Sequence, residues 1–312
     1  MKILNSIWAR LAVTAAILAY LLSGIDVGAS VRAMLHVRPA WFLLTLLLVA
    51  VDRVAMAYRW LLLLRAADVD IPARSALRIF LTSSFVGSFL PAGLGADAAR
   101  AYAIASRTSR GSQAVASVGV DRVLGLVAIV LLGVAGLAGW APHVPAGLRA
   151  QLYVAAAAAA LASAAVFWVD RLTAALVTER LRQSKLGWRV WRLGEAVGAY
   201  RAHPGVLGRV LALSLAVQLV RVLQAYGLGR GLGIGIGFDY YLVFMPVAML
   251  VLLLPVSISG FGLPQAAIVW LLRPVGVPDE QAFALSTLIV VIGLLGNLPG
   301  ALLYLVRKKP VT

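Results

Sequence analysis

Hydrophobic positions in this chain fall in long unbroken blocks instead of alternating with polar ones. Ile7–Leu22, Trp41–Leu64, Leu124–Trp140, Leu152–Trp168, Val206–Tyr226 and Ala282–Val306 each approach or reach the roughly 20 residues that carry a helix across a bilayer. Two further apolar stretches are interrupted in matching fashion. Leu90-Pro91-Ala92-Gly93-Leu94-Gly95 and Leu254-Pro255-Val256-Ser257-Ile258-Ser259-Gly260 both place proline just before small residues at alternate positions. Proline removes a helix donor and glycine loosens the backbone. Such breaks are tolerated at membrane depth only where they are buried in protein or line a cavity. A matched pair, one in each half of a chain, points to a transporter-like site.

Composition fits this pattern. Hydrophobic residues make up 62% of the 312 positions and charged residues 13%, with a mean hydropathy of +0.94. A soluble domain is nearer half apolar and a quarter charged. The net charge of +16 would point to nucleic acid in a soluble chain. Here the basic residues cluster between spans, which is the positive-inside pattern, and no nucleic-acid partner is expected. The absence of cysteine excludes disulfides, thiolate metal sites and cysteine nucleophiles. His36, His143 and His203 fall in no metal-like spacing, and neither metal nor cofactor is expected. Lys2 and Arg10 precede an apolar run without a small-x-small cleavage pattern after Leu22, so an uncleaved first span is expected.

The basic clusters set the expected topology. Lys2 and Arg10 mark one end, and Arg307, Lys308 and Lys309 the other. Between Asp170 and Arg209 lie Arg171, Arg180, Arg182, Lys185, Arg189, Arg192, Arg201 and Arg209 against three acids. Arg65, Arg74, Arg78, Arg107 and Arg110 flank the first break, while loops 141–149 and 228–240 are charge-poor. If the stretch around Pro91 crossed the membrane once, the basic region 170–209 would fall outside, against the rule. If it dips in and returns, every basic cluster lands inside. The expectation is an all-α polytopic protein of six spans plus two re-entrant hairpins, with both termini cytoplasmic. The first hairpin enters from the cytoplasm and the second from outside.

Two spans, a hairpin and a span, repeated in inverted order, give half-repeats of about 1–140 and 149–306 within a single membrane domain covering 1–312. Arg53-Val54-Ala55-Met56-Ala57-Tyr58 echoes Arg221-Val222-Leu223-Gln224-Ala225-Tyr226, each preceding its hairpin proline by a similar interval. The halves join through a segment at 170–205. There Leu186, Val190, Leu193, Val197 and Tyr200 share one helical face, and Lys185, Arg189 and Arg192 another. That is the pattern of a cytoplasmic helix lying on an anionic membrane surface, the alternative being a solvated linker. Trp8, Trp41, Trp60, Trp140 and Trp168 sit near span ends, as interfacial belts do.

Candidate chemistry lies in the polar residues at membrane depth, where each charge costs about 2.5–3.5 kcal/mol on insertion scales. Asp52 and Arg53 occupy the middle of one span, with Arg59 about two turns nearer the cytoplasm. Gln218 and Arg221 share a face of another span, and Asn297 lies beside Gly296 and Pro299 in the last. Asp97 and Arg100 follow the first break, and Asp121 and Arg122 begin the next span. Structural readings stay open: Asp52 as a counter-ion to Arg221, and Asp121-Arg122 as a span boundary. After Gly93 and Gly95 a helix can restart at Ala96, turning its N-terminal amides toward the hairpin tip. Arg100 adds a planar donor fork suited to phosphate. Asp97 either caps that helix or holds Arg100 and Arg53 in place. The candidate substrate-binding set is Arg53, Pro91, Gly93, Gly95, Asp97, Arg100, Asp121, Arg122, Arg221, Pro255, Ser257, Ser259, Gly260, Gln265 and Asn297. No catalytic residue is assigned.

Three motifs carry a resemblance. They are Phe89-Leu90-Pro91-Ala92-Gly93-Leu94-Gly95-Ala96-Asp97 with Arg100-Ala101-Tyr102, Asp121-Arg122-Val123-Leu124-Gly125-Leu126, and Pro255-Val256-Ser257-Ile258-Ser259-Gly260-Phe261-Gly262. In this order they resemble the lysylphosphatidylglycerol synthase transmembrane region family, also called flippase-like integral membrane proteins. The resemblance covers nearly the whole chain. It implies a prokaryotic plasma membrane and movement of lipids such as aminoacylated phosphatidylglycerol, hopanoids or polyprenyl-linked glycolipids. Where the family often has an acidic residue after the second hairpin, this chain has Pro264-Gln265, which puts a carboxylate-dependent step there in doubt. The soluble aminoacyl-transferring domain of the full-length synthases has no counterpart in the sequence, so lipid aminoacylation is not carried over.

The expected function is a flippase-like transporter of an anionic phospholipid or an isoprenoid- or hopanoid-type lipid, and the expected partners are membrane lipids with anionic headgroups. Two alternatives remain: a membrane-embedded transferase acting on a polyprenyl-linked lipid, and a non-transporting partner of a separate lipid-modifying synthase. Against the transferase stands the lack of histidine near the hairpins. Lipid identity, direction, energy source and oligomeric state are not encoded in any motif.

Overall fold

The computed structural model describes residues 22–90, 95–140, 184–252 and 262–305, with isolated positions between 150 and 171. Among the described residues every regular element is helical. In chain order these are α1 (Val27–Leu35), α2 (Pro39–Ala66), α3 (Ala73–Gly87), α4 (Gly95–Ala105), α5 (Gly111–Trp140), α6 (Lys185–Gly198), α7 (Pro204–Gly231), α8 (Phe238–Leu252), α9 (Leu263–Leu272), α10 (Asp279–Leu295) and α11 (Leu298–Leu305). Short 3-10 turns follow α6 at Ala199–Ala202 and α9 at Arg273–Val275.

Among the described residues four helical stretches are long and apolar enough to cross a membrane: α2, α5, α7, and the run Asp279–Leu305 made by α10 and α11. They coincide with four of the six apolar blocks. Nearly all of the block Ile7–Leu22 and most of Leu152–Trp168 lie outside the described residues. The last block is not one uninterrupted helix: α10 stops at Leu295, Gly296 and Asn297 form the break, and α11 resumes with Pro299 in its first turn. Proline is accommodated there because first-turn amides lack helix partners.

The central pair, α2 and α7, is built alike. Each has 28 residues and begins with proline at a first-turn position. Each ends in the same double-bonded turn. After α2 the amides of Asp68 and Val69 reach back to the carbonyls of Arg65 and Leu64, and after α7 those of Gly233 and Ile234 reach Arg230 and Gly229. Left-handed backbone is required at Asp68 (φ 53°) and Gly233 (φ 81°), positions that asparagine-like residues and glycine tolerate. The two helices run antiparallel. The Arg38 amide donates to Gly231 O, Arg221 meets Asp52, Arg59 meets Ser214, and the Tyr200 hydroxyl donates to Leu63 O at 2.8 Å.

Around this pair lie two helical hairpins. In the first, α3 and α4 pack back to back, with Gly87 against Ala96 at the closed end and Ile79 sharing a core with Ile104 further down. In the second, the Tyr240 hydroxyl at the start of α8 bonds Leu271 O at the end of α9. Both tips, at 91–94 and 253–261, lie outside the described residues. Each hairpin leans on a terminal span of the opposite half. Gly133 and Gly136 of α5 admit Pro246 and the backbone of Leu242 from α8, and Gly300 of α11 admits the backbone of Leu81 from α3. Small residues at these crossings let helix axes approach where a side chain would hold them apart.

One helix was not anticipated. Asp26 caps α1 by accepting from the Ala29 amide at 2.9 Å, and Ile25 and Met34 beside it join the core around α10 and the end of α9. Helix α6 and the 3-10 turn after it pack Val197 and Tyr200 into the core of α2 and α5, whereas Val190 and Leu193 remain exposed. The expected single apolar face of α6 is therefore divided. Its C-terminal part is a packing surface, and its N-terminal part, where Arg192 stacks on Trp188 at 4.7 Å, faces outward. On α2, Leu43, Leu47, Val51, Val54 and Tyr58 form a stripe at helical spacing that is 48–62% exposed. A stripe that apolar would be a liability in water and is the ordinary surface of a helix facing lipid.

Candidate functional site

Halfway along α2 the chain places Asp52 and Arg53 in succession, so their side chains leave the helix about 100° apart. Asp52 is 2% exposed and accepts from two guanidiniums, Arg53 Nη1 and Arg221 Nε, each at 2.9 Å. The structural reading of Asp52 as a counter-ion is what the helices arrange, and it serves both arginines at once. Arg53 also donates through Nη2 to Gly293 O at 3.2 Å. Its Nε is buried without a partner.

A second cluster lies where α4 meets α5. Asp121, 1% exposed, accepts from Arg59 Nε at 2.7 Å and from Arg100 Nη2 at 3.0 Å. Arg59 is further held by the Ser214 hydroxyl at 2.9 Å. The Arg100 guanidinium also meets Asp97 at 2.9 Å and lies over the rings of Trp60 (5.1 Å) and Phe80 (5.5 Å). Aromatic faces attract a cation most strongly when it is desolvated, as here. Trp60 is itself pinned by donating to the Ser117 hydroxyl at 3.0 Å. Asp97 completes the chain by accepting from Arg122 Nη1 at 3.0 Å. The expected link from Asp97 to Arg53 is not made, because Arg53 is turned toward Asp52 and Gly293 across the cavity.

The two clusters face one cavity of about 400 Å³ between the first hairpin and helices α2, α5, α7, α8 and α10. Arg53, Gly95, Asp97, Arg100, Arg122, Arg221 and Asn297 all line it, so seven of the sequence candidates converge. Helix α4 begins at Gly95, one residue earlier than expected, and its first turn supplies Gly95, Ala96 and Asp97 to the wall. Asn297 donates to the Ser88 hydroxyl at 2.8 Å, tying the break between α10 and α11 to the first hairpin. Its Oδ1 is buried without a partner, as is Arg100 Nη1.

Two candidates are placed elsewhere. Asp121 sits behind the wall, where it holds Arg59 and Arg100, and does not line the cavity. Gln265 is 1% exposed and turns inward, its Oε1 accepting from the Gly262 amide at 2.7 Å. Gly262, at φ 97°, needs that support to start α9. Gln265 lines a smaller, almost wholly apolar cavity of about 60 Å³ instead. Pro91, Gly93, Pro255, Ser257, Ser259 and Gly260 lie outside the described residues.

The sequence reading missed Ser83, Ser84 and Ser88, which give α3 and its end a polar face on the cavity. The signal was present as a run of small hydroxyls in an apolar segment just before the first break. It also missed Met56 and Met249, whose apolar character marked them only as span residues.

Residues 7–300 match the family described as the lysylphosphatidylglycerol synthase TM region. The chain belongs to this family. No curated protein matches it. Membership, together with the long apolar helices, makes it an integral membrane protein linked to lipid metabolism. For a member of this family the cavity has a chemistry of its own. Four guanidiniums and one carboxylate share its wall with apolar groups from Phe80, Ile129, Leu252, Ile289 and Val290.

Proposed function

We propose that this protein is a flippase-like transporter that carries an anionic lipid between leaflets, taking the headgroup into the arginine-lined cavity. One observation carries the reading. Arg53, Arg122 and Arg221, from helices long and apolar enough to span a membrane, converge with Arg100 of the shorter α4 on a cavity of about 400 Å³, in the size range of small-ligand sites. Guanidiniums at such depth mark substrate pathways, and their planar forks suit phosphate oxygens. A transferase reading has less support, since the carboxylate in the wall, Asp97, has both oxygens engaged by Arg100 and Arg122.

The same reading takes the architecture as six spans and two re-entrant hairpins in an inverted repeat, forming one membrane domain. Hairpin helices of 15 and 11 residues, and of 15 and 10, are about 15–22 Å long. The hydrocarbon core is about 30 Å thick. The exchange of contacts also favours a two-fold relation: α1 packs on α10 as α6 packs on α5, and α3 on α11 as α8 on α5. Antiparallel α2 and α7, meeting at Asp52 and Arg221, would lie on the axis. By the basic clusters, the ends of α2 and α6 face the cytoplasm of a prokaryotic plasma membrane, and both termini with them. A separate lipid-modifying synthase is the natural supplier of the cargo.

The test is leaflet exchange in proteoliposomes given headgroup-labelled phosphatidylglycerol and a broad panel of other lipids. Exchange should require protein and fall at least tenfold in Arg221→Gln. A panel showing no exchange of any lipid sinks the transporter reading.

A further inference from the structure

We infer that the cavity selects a phosphate monoester, carrying two negative charges, on the end of an apolar chain. The inference rests on the reading of the cavity as a headgroup site and goes further by naming the headgroup. Its basis is the charge balance of the two clusters. Asp52 stands against Arg53 and Arg221, leaving one positive charge in excess. Asp97 and Asp121 stand against Arg59, Arg100 and Arg122, again leaving one. Among the described residues, the ionisable side chains in the cavity wall all belong to these two clusters.

Each cluster also holds one guanidinium nitrogen that is buried and unpartnered, Arg53 Nε in the first and Arg100 Nη1 in the second. Arg100 as a whole is only 3% exposed. A buried donor left unpaired is costly, and a buried charge more so. The site is therefore completed by two negative charges. A phosphodiester brings one charge and two free oxygens and would leave one cluster unbalanced. A monoester above its second pKa of about 6 brings two charges and three oxygens. The first turn of α4, an 11-residue helix whose opening amides have no helix partner, adds donors on the same wall.

The apolar chain is inferred from what adjoins this wall. Met249, Leu252, Ile289 and Val290 line both the arginine cavity and the smaller apolar one. They give the arginine cavity an apolar side that extends toward the second hairpin. Free phosphate has no use for that apolar side, whereas a chain attached to the ester oxygen would lie against it.

Binding to the purified full chain in a nonionic detergent separates these possibilities, measured by calorimetry at about pH 8. Dodecyl phosphate, its methyl ester and inorganic phosphate differ in turn by one charge and by the chain. Dodecyl phosphate should bind at least tenfold tighter than its methyl ester, and that preference should disappear in Arg53→Gln. Arg122→Gln, at a side chain one-third exposed and so with little consequence for folding, should reduce it as well. Asp97→Asn adds a third excess charge and should tighten monoester binding, the opposite of what loss of a purely structural ion pair would do. Equal binding of the two esters overturns the inference, and inorganic phosphate binding as tightly as dodecyl phosphate overturns its lipid half. Exchange of diester lipids without monoester preference would sink this inference and leave the transporter reading; preference without exchange of any lipid would do the reverse.

Discussion

Asp121 and Asp97 are both aspartates bonded to two arginines, yet they have different work. Asp121 is enclosed between Arg59 and Arg100, all three at most 4% exposed at the side chain. Removing one charge from such a group strands the others, at about 3–5 kcal/mol. Asp121→Asn is expected to lower thermal stability in detergent by about that much, whatever lipid is present. Asp97 is 21% exposed at the cavity wall, and Asp97→Asn leaves Arg100 with Asp121. It should therefore destabilise less than Asp121→Asn does, because Arg100 keeps a buried carboxylate. Equal losses in the two variants, read from unfolding midpoints, would contradict this division. On the 3-10 turn after α6, Tyr200 donates to Leu63 O from a site where burial, aided by the charge of Asp121, holds its phenol protonated well above the ordinary range.

At the scale of elements, the packing between halves rests on missing side chains. A Cβ added at Gly136 or Gly300 would strike backbone, that of Leu242 and of Leu81 respectively, whereas one added at Gly119 of α5 would meet nothing within 4 Å. Gly136→Ala and Gly300→Ala should each cost about 1–3 kcal/mol, as overpacking does, and Gly119→Ala should be neutral or slightly stabilising. Unfolding midpoints of the three variants decide it. The long helices were legible in advance because 20 or so apolar residues leave few alternatives in a bilayer. Helix α1 was not, because it is short and its apolar side only acquires meaning against α10. The division of the α6 face was hidden for the same reason: periodicity marks a face but does not say which half of it another helix will cover. The break at Gly296 and Asn297 was legible as residues but not as an interruption, since what fixes it is the bond from Asn297 to Ser88 on a distant hairpin.

At the scale of the molecule, the convergence of Arg53, Asp97, Arg100, Arg122, Arg221 and Asn297 was legible from depth alone. Charged and amide groups within apolar spans have to meet one another or a cavity. Their pairing was not legible. Asp97 faces Arg122 and not Arg53, and Asp121 and Gln265 serve the frame, because these choices depend on how α4, α5 and α9 are rotated. The proposed topology is open to a simple check, since the chain contains no cysteine. Cysteines introduced singly at Trp188 and Gly235, both exposed, should react with a membrane-impermeant reagent from opposite faces, Trp188 from the cytoplasmic one. Reaction of both from one face would overturn the inverted arrangement.

The same background allows the headgroup site itself to be watched. Ser84 lines the cavity from α3, and its side chain makes none of the contacts that hold the arginines. In Ser84→Cys, labelling by a water-soluble thiol reagent in nanodiscs should slow at least fivefold when anionic lipid replaces zwitterionic lipid. That protection should vanish when Arg53→Gln and Arg122→Gln are added. Labelling at one rate in both lipids, by a protein that exchanges anionic lipid normally, would show that the headgroup travels elsewhere and contradict the account.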